Sequence, residues 1–167
     1  LAKMSNFIPE GGIWMNTQRP EWNDANNALV GNGISMVTLY YLRRFVNFFN
    51  SLLEKTDLIS VEISFELNEF FNDLHYALNN NKKVIDSSIS DQNRKKIVDL
   101  LGIAGSNFRN KIYDNGFSGT KSAIGIKEIK DFTKILLEYI DHSIDSNKRK
   151  DKLYHAYNLL TIKKDKI

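Results

Sequence analysis

The sequence predicts an all-α protein built from antiparallel helical hairpins. Its two prolines, Pro9 and Pro20, both lie near the start, and no later proline interrupts a helix. Apolar residues recur about every 3.6 positions in four long segments, whereas the alternation that is typical of strands is weak. Short to medium loops join the segments and favour antiparallel neighbours. We therefore expect residues 1–167 to form one helical domain or domain fragment, with a structured loop over 1–33 and helical hairpins over 34–162.

The apolar periodicity predicts four helices, over residues 34–55, 60–80, 90–115 and 126–145. The first is apolar on nearly every side, which is typical of a buried helix. Ser60 is the predicted N-cap of the second helix, and Ser90 precedes the third, which we expect to stop at Asn115-Gly116. Residues 148–162 leave two alternatives open, a short fifth helix or a strand at Leu159–Ile162.

The composition excludes several classes of protein. With 42% apolar and 26% charged residues the chain is too apolar for disorder. The lack of cysteine excludes disulfides and cysteine-based zinc sites, and the three histidines lack ligand spacing, so we expect neither a metal nor another cofactor. No apolar run is long enough to span a bilayer, which favours a soluble, cytoplasmic protein without a membrane partner. Because the chain opens with Leu1, we expect it to be part of a longer polypeptide.

The net charge of +3 hides an asymmetry along the chain. Residues 31–80 hold three basic and six acidic residues, whereas residues 81–167 hold eighteen basic and eleven acidic ones. A basic half invites a nucleic-acid-binding interpretation. The lysines are nevertheless interleaved with acids, as on solvated helix faces, so nucleic acid is the disfavoured partner.

The segment richest in side chains suited to binding or catalysis is 11–27, which holds both tryptophans of the chain. It also carries two carboxylates, one arginine and five amides, namely Glu21, Asp24, Arg19, Asn16, Gln18, Asn23, Asn26 and Asn27. Pyranose rings have apolar faces that stack on tryptophan and hydroxyl groups that bond amides, carboxylates and guanidinium groups. A carboxylic acid beside a tryptophan can have a raised pKa and serve as a general acid. The alternative is a structural loop, in which the tryptophans fill a core and Asp24 caps the next helix.

The stretch Gln18-Arg19-Pro20-Glu21-Trp22-Asn23-Asp24-Ala25 resembles the Asp-Trp-Asn-Asp motif of six-hairpin helical-toroid glycosidases. These include cellobiose phosphorylases and the glucosidase domain of glycogen debranching enzymes. The resemblance implies that the chain is part of an (α/α) toroid, that Asp24 donates a proton to the glycosidic oxygen and that Trp22 lies beside the sugar. Glu21 stands where the family usually has Asp, and Ala25 where the phosphorylases have Gly. The match covers eight of the 167 residues.

We therefore predict an enzyme that acts on glycosides by hydrolysis or by phosphorolysis, with inorganic phosphate as a partner in the second case. The candidate catalytic residues are Asp24 and Glu21, and the candidate substrate-binding residues are Trp14, Gln18, Arg19, Trp22, Asn23, Asn27, His155 and Tyr157. Glu21 and Asp24 are too close in sequence to flank a glycosidic bond, so we expect any second carboxylate in the rest of the same polypeptide.

Two other function classes stay open at this point. The chain fits a non-catalytic helical module that binds carbohydrate or a protein partner through the tryptophan-rich loop. It also fits a basic, nucleic-acid-binding helical domain, for which binding would depend steeply on salt. Nucleotide binding at Gly116–Ser122 is disfavoured, because a P-loop needs Gly directly before the Lys and Thr120 stands there instead.

Overall fold

The computed structural model describes residues 1–16, 28–164 and 167. In chain order the strands are β1 (Phe7–Ile8), β2 (Gly12–Trp14), β3 (Gly33–Ser35), β4 (Ser60–Ser64), β5 (Lys121–Gly125) and β6 (Tyr157–Leu159). The helices are α1 (Met36–Leu53), α2 (Phe65–Asn80), α3 (Asp91–Asn115) and α4 (Ile126–Ser146), with short 3-10 turns at Met4–Asn6 and Lys82–Asp86. Because two antiparallel sheets accompany the helices, the all-α prediction is wrong, and the chain is a mixed α and β protein.

The four predicted helices are present with shifted bounds, and side chains at their first turns explain where three of them begin. The hydroxyl oxygen of Ser35 accepts a hydrogen bond from Thr38 N at 3.0 Å, and Ser90 does the same for Asn93 N at 3.3 Å. The cap of α2 is Ser64 rather than the predicted Ser60, because Ser64 Oγ accepts from Leu67 N at 3.3 Å. Helix α3 ends at Asn115, as predicted, and Gly116 follows with a positive φ of 69°.

The strands lie where the sequence analysis expected loop or helix. The first sheet has the order β1-β2-β3-β6, so that the predicted loop 1–33 contains two of its strands and the first residue of a third. The second pairs β4 with β5, and β4 occupies the start of the predicted helix 60–80. Val61 and Ile63 alternate with polar residues there, and this short pattern was too weak to separate from the helical stripe that follows. Residues 148–162 contain β6 at Tyr157–Leu159, so a strand forms here rather than a short helix, but it overlaps the expected strand Leu159–Ile162 only at Leu159.

The helices pack as two antiparallel pairs, α1 with α4 and α2 with α3. Asn50 on α1 accepts a hydrogen bond from Thr133 on α4 at 3.1 Å, and rings of Phe70 and Phe108 stack at 4.7 Å between α2 and α3. Helix α1 therefore pairs with the last helix rather than with its successor in sequence. Together with the two sheets, this pairing contradicts the expectation of successive hairpins in an (α/α) toroid.

One hydrophobic core joins all four helices to the N-terminal strands. Its fully buried members include Leu39 of α1, Leu74 of α2, Leu101 of α3 and Ile140 of α4, with Phe7 of β1. Tyr139 is also buried, and its hydroxyl donates to the carbonyl of Leu78 at 3.0 Å. Burial raises the pKa of this phenol, so it stays a neutral hydrogen-bond donor.

The prediction that the first helix is buried on all sides is wrong for this chain. Leu39, Val46 and Leu53 face the core, whereas Tyr41 and Phe45 are largely exposed. The apolar residues of α1 recur with a helical period, as predicted, but they form two faces. The described residues cover only one of these faces.

Candidate functional site

Most of the sequence-predicted site falls in the segment 17–27, which lies outside the described residues. This applies to both candidate acids, Asp24 and Glu21, and to the binding residues Gln18, Arg19, Trp22, Asn23 and Asn27. Trp14, His155 and Tyr157 lie within the described residues, and Trp14 shows what surrounds the attachment point of that segment.

The residues on either side of segment 17–27 are held next to each other. Met15 N donates to Gly33 O at 2.9 Å, and Gly31 N donates to Met15 O at 2.7 Å. These bonds continue the antiparallel pairing of β2 with β3 beyond Trp14. Segment 17–27 is therefore attached at one end of this strand pair, immediately after Trp14 and Asn16.

Trp14 lies at the junction of two adjacent cavities of about 440 and 480 Å³. Its indole is partly exposed, and its Nε1 donates to Gly31 O at 3.0 Å, which fixes the ring at the attachment point of the segment. Both cavities are lined by Asn6, Trp14, Asn16 and Arg109, and we call these four residues the Trp14 cleft. An aromatic ring, two carboxamides and a guanidinium group thus meet at one concave surface.

The polar side chains of the Trp14 cleft come from distant parts of the chain. Asn16 Nδ2 donates to Asn6 Oδ1 at 2.7 Å, and Arg109 Nη2 donates to Ser106 Oγ at 3.0 Å. Within 1–16, 28–164 and 167, Arg109 forms no ion pair with a carboxylate, and it lines both cavities. Amide and guanidinium groups in this arrangement offer both donors and acceptors to a ligand's hydroxyl groups.

A glycine brings the N-terminal turn onto α3 and so assembles the cleft. A Cβ atom placed on Gly105 would lie 2.6 Å from Ser5 Cβ, which no pair of side chains tolerates. Ser5 and Asn6 can therefore approach α3 only because position 105 lacks a side chain. Asn6 consequently lines the same cavities as Arg109, one turn further along the helix.

The structure does not bring His155 and Tyr157 into the Trp14 cleft. Across the sheet, Trp14 is paired with Ile34 and then Asn158, whereas Tyr157 is paired with Ser35. Because neighbouring residues of a strand point to opposite faces, Trp14 and Tyr157 lie on opposite sides of the sheet. His155 is exposed, and its carbonyl accepts a hydrogen bond from the Tyr40 hydroxyl at 2.9 Å.

Sequence reasoning missed Asn6, Asn16 and Arg109 as site residues. Asn16 was noted only as one of many amides in the segment 11–27. No local signal marks Asn6 or Arg109, because their contact joins positions about a hundred residues apart. The small residue at 105 in an otherwise regular helix was the available hint that another backbone approaches α3.

A second polar cluster, around Glu10, links elements of the fold to one another. Glu10 Oε2 pairs with Arg94 Nη2 at 2.5 Å, and Oε1 accepts from Ile89 N at 3.0 Å and contacts His142 Nε2 at 3.2 Å. Burial raises the pKa of this carboxyl, but the bonds from Ile89, Arg94 and His142 outweigh that effect, and the net pKa lies below its ordinary value. Glu10 also has a positive φ of 60°, a strained conformation for a residue with a side chain. Every carboxylate oxygen is occupied, so the cluster ties β1 to α3 and α4.

A third cavity of about 340 Å³ lies between α2 and α3 and is lined by several acids. Glu66 Oε1 accepts from Ser118 N at 2.9 Å, and hydrogen bonds from Ser118 lower the pKa of this carboxyl. Glu69 is neutralised by an ion pair with Lys111. Glu66 therefore anchors the loop before β5 rather than offering a free pair of carboxylates.

No helix in the described ranges is long and apolar enough to cross a bilayer. The same residues contain no cluster of three or more acidic or histidine side chains that is arranged to hold a metal ion.

Comparison with known proteins assigns no family to the chain. No protein-family model matches the sequence, and no curated protein matches it significantly.

Proposed function

We propose that the chain supplies a carbohydrate-binding surface to a protein that acts on glycosidic bonds, with one sugar ring held in the Trp14 cleft. The observation that carries the proposal is the meeting of Trp14, Asn6, Asn16 and Arg109 around two adjoining cavities. The flat indole suits the apolar face of a pyranose, and the amides and the guanidinium group suit its hydroxyls. The cavity volumes are in the range of small-molecule sites.

The proposed catalytic group comes from the neighbouring segment. Asp24, in the Trp-Asn-Asp triplet, is the proposed proton donor to the glycosidic oxygen, and Glu21 is the second acid available in the same segment. The chain enters segment 17–27 directly after Asn16, which lines the Trp14 cleft. Hydrolysis would take water as the nucleophile, and phosphorolysis would take inorganic phosphate.

Binding is tested with gluco-disaccharides of α and β linkage, followed by calorimetry and by tryptophan fluorescence. Arg109→Gln removes guanidinium donors from the cleft without touching the core, and we expect affinity to fall about tenfold, which corresponds to about 1.4 kcal/mol. Arg149→Gln is the matched control, because Arg149 is an exposed arginine in the loop after α4 and pairs with Asp151. Equal affinity of the two variants for a sugar that the wild type binds would contradict the placement of the sugar in the Trp14 cleft.

Catalysis is tested by Asp24→Asn in the intact polypeptide that carries this chain. If Asp24 is the acid, turnover should fall by about 10² to 10⁴ with little change in stability. If Asp24 only caps a helix, activity should persist, because Asn caps about as well as Asp. Glu21→Gln is the companion variant and decides which acid donates the proton. If the wild type binds a sugar but shows no turnover of it, the result favours a non-catalytic carbohydrate-binding module.

A further inference from the structure

The outer face of α1 carries a continuous stripe of exposed apolar side chains. Its members are Val37, Tyr41, Phe45, Phe48 and Leu52, which are 36%, 67%, 59%, 59% and 47% exposed, and we call them the α1 stripe. Successive members are four, four, three and four residues apart, which places them on one side of a helix. At about 100° per residue, that side is opposite the buried Leu39 and Val46. Helix α1 thus has two apolar faces, one packed and one open.

The size of the α1 stripe sets it apart from ordinary exposed apolar residues. With about 200 Å² for a fully exposed aromatic residue, its exposed surface is on the order of 500 Å². This value is near the upper end of the largest patches on typical monomers, about 300 to 600 Å², which are often functional.

The α1 stripe itself holds no charged residue. Helix α1 has two arginines: Arg43 pairs with Asp141 of α4, and the exposed Arg44 lies at the edge of the stripe beside Val37. Residues 45–53 carry no charge at all. Interface cores are depleted in charge and enriched in tyrosine and phenylalanine, as the α1 stripe is.

The spacing within the stripe points to a second copy of the chain as its partner. Tyr41, Phe45, Phe48 and Leu52 are separated by four, three and four residues, a pattern that reads the same in both directions along the helix. Two α1 helices packed antiparallel about a twofold axis therefore place Phe45 opposite Phe48 of the second copy and Tyr41 opposite Leu52. A twofold dimer requires such a self-complementary surface.

We propose that the α1 stripe is the dimerisation surface of this chain and that the two α1 helices pack antiparallel across a twofold axis. Two copies would together bury on the order of 1,000 Å², the lower limit for a specific interface. An interface of this size is typical of a weak, reversible dimer, and the proposal sets its dissociation constant in the micromolar range. This proposal does not depend on the carbohydrate function, because the stripe and the Trp14 cleft share no residue.

The oligomeric state of the 167-residue chain tests the proposal, measured by sedimentation equilibrium from about 1 to about 200 µM, a range that brackets micromolar affinity. The wild type should approach twice its 19.3 kDa at the upper end. The double variant Phe45→Glu with Phe48→Glu should stay monomeric, with its dissociation constant raised by about a hundredfold or more. Tyr113→Glu is the matched control, since Tyr113 is an 81% exposed aromatic residue on α3, and it should dimerise like the wild type.

The antiparallel register is tested with cysteines, which the native chain lacks. Tyr41→Cys and Leu52→Cys proteins, mixed and oxidised, should form the mixed disulfide in preference to either symmetric one, because position 41 faces position 52. A wild type that stays monomeric up to about 200 µM overturns the proposal and assigns the stripe to another protein or another part of a longer polypeptide. Dimers that persist in the Phe45→Glu, Phe48→Glu variant, or symmetric disulfides that dominate, overturn it as well.

Discussion

Helices α1 and α4 pack against each other, yet they present opposite chemistry to the solvent. The outward residues of α4 are charged, and those that are exposed include Lys127, Glu128, Asp131, Lys134 and Asp145. The outward residues of α1 are the aromatic and aliphatic members of the α1 stripe. Both helices bury one apolar face in the same core, so they differ only in the side chains of the opposite face.

This contrast shows what a hydrophobic pattern alone means. A single apolar stripe with a charged opposite face, as in α4, has one way to pack, and its inner side follows from the sequence. An apolar pattern on both sides, as in α1, predicts that two surfaces are covered. It does not indicate which of the two faces the core. The core of this chain covers one of them, and the proposed second copy covers the other.

The largest expected effect is the difference between the two faces of α1 when the same substitution, Leu to Ala, is made on each. Leu39→Ala, at a position with 0% exposure, should lower the free energy of unfolding by about 2 to 5 kcal/mol, because it leaves a cavity in the core. Leu52→Ala, at 47% exposure, should cost less than about 1 kcal/mol in the monomer. Urea unfolding at low protein concentration measures both. Similar losses for the two variants would show that the stripe is packed within the monomer, and the contrast between the helices would then disappear.

A smaller effect is expected at the polar end of α4, where His142 joins the Glu10 cluster. The folded-state pKa of Glu10 lies below its ordinary value of 4.5, so the folded protein binds this proton less readily than the unfolded chain. The stability from Glu10 is therefore present above about pH 4.5 and is lost as the pH falls through the lower folded-state pKa. Glu10→Gln should cost about 1 to 3 kcal/mol at neutral pH, by weakening the bonds to Arg94 and Ile89.

The check is the urea midpoint measured between neutral and strongly acidic pH. The wild type should lose more stability on acidification than Glu10→Gln, because the variant has no carboxylate to protonate at this position. Parallel pH profiles for the two proteins would mean that the Glu10 cluster does not sense acid, and that the acid sensitivity of the fold resides elsewhere.

The smallest effect is expected for the ion pair that links the two helices. Arg43 and Asp141 are 45% and 44% exposed, so solvent screens their attraction. A double-mutant cycle with Arg43→Gln and Asp141→Asn should give a coupling energy below about 1 kcal/mol. A coupling well above that value would mean that the pair, rather than the apolar contact beneath it, holds α1 against α4.

The helices could be predicted from the sequence because each depends on a local period and on nearby caps. Ser90 and Asn115-Gly116 bound α3 where the pattern placed them. The strands could not be predicted, because each is only two to five residues long and four of the six described strands pair with a partner far along the chain. Strand β3 pairs with β6 more than a hundred residues later, and β4 with β5 about sixty residues later. No local window contains that information.

The candidate site likewise has one part that could be predicted from the sequence and one that could not. Trp14 was predicted as a binding residue from its neighbours in sequence, and it lies at the junction of two cavities. Arg109 and Asn6 join it through the contact of the N-terminal turn with α3, which no spacing in the sequence announces. The roles of Asp24 and Glu21 stay predictions, because their segment lies outside the described residues.

The sequence by itself determined the helical segments, the two ends of α3 and the concentration of aromatic and polar groups near the start of the chain. These features depend on interactions between residues within about one or two helical turns of each other. Only the tertiary structure decided that strands accompany the helices, that α1 packs on α4, and that the described residues leave one apolar face of α1 exposed. Each of these outcomes depends on which distant surfaces bury each other, and many pairings of similar apolar stripes are compatible with the same local pattern.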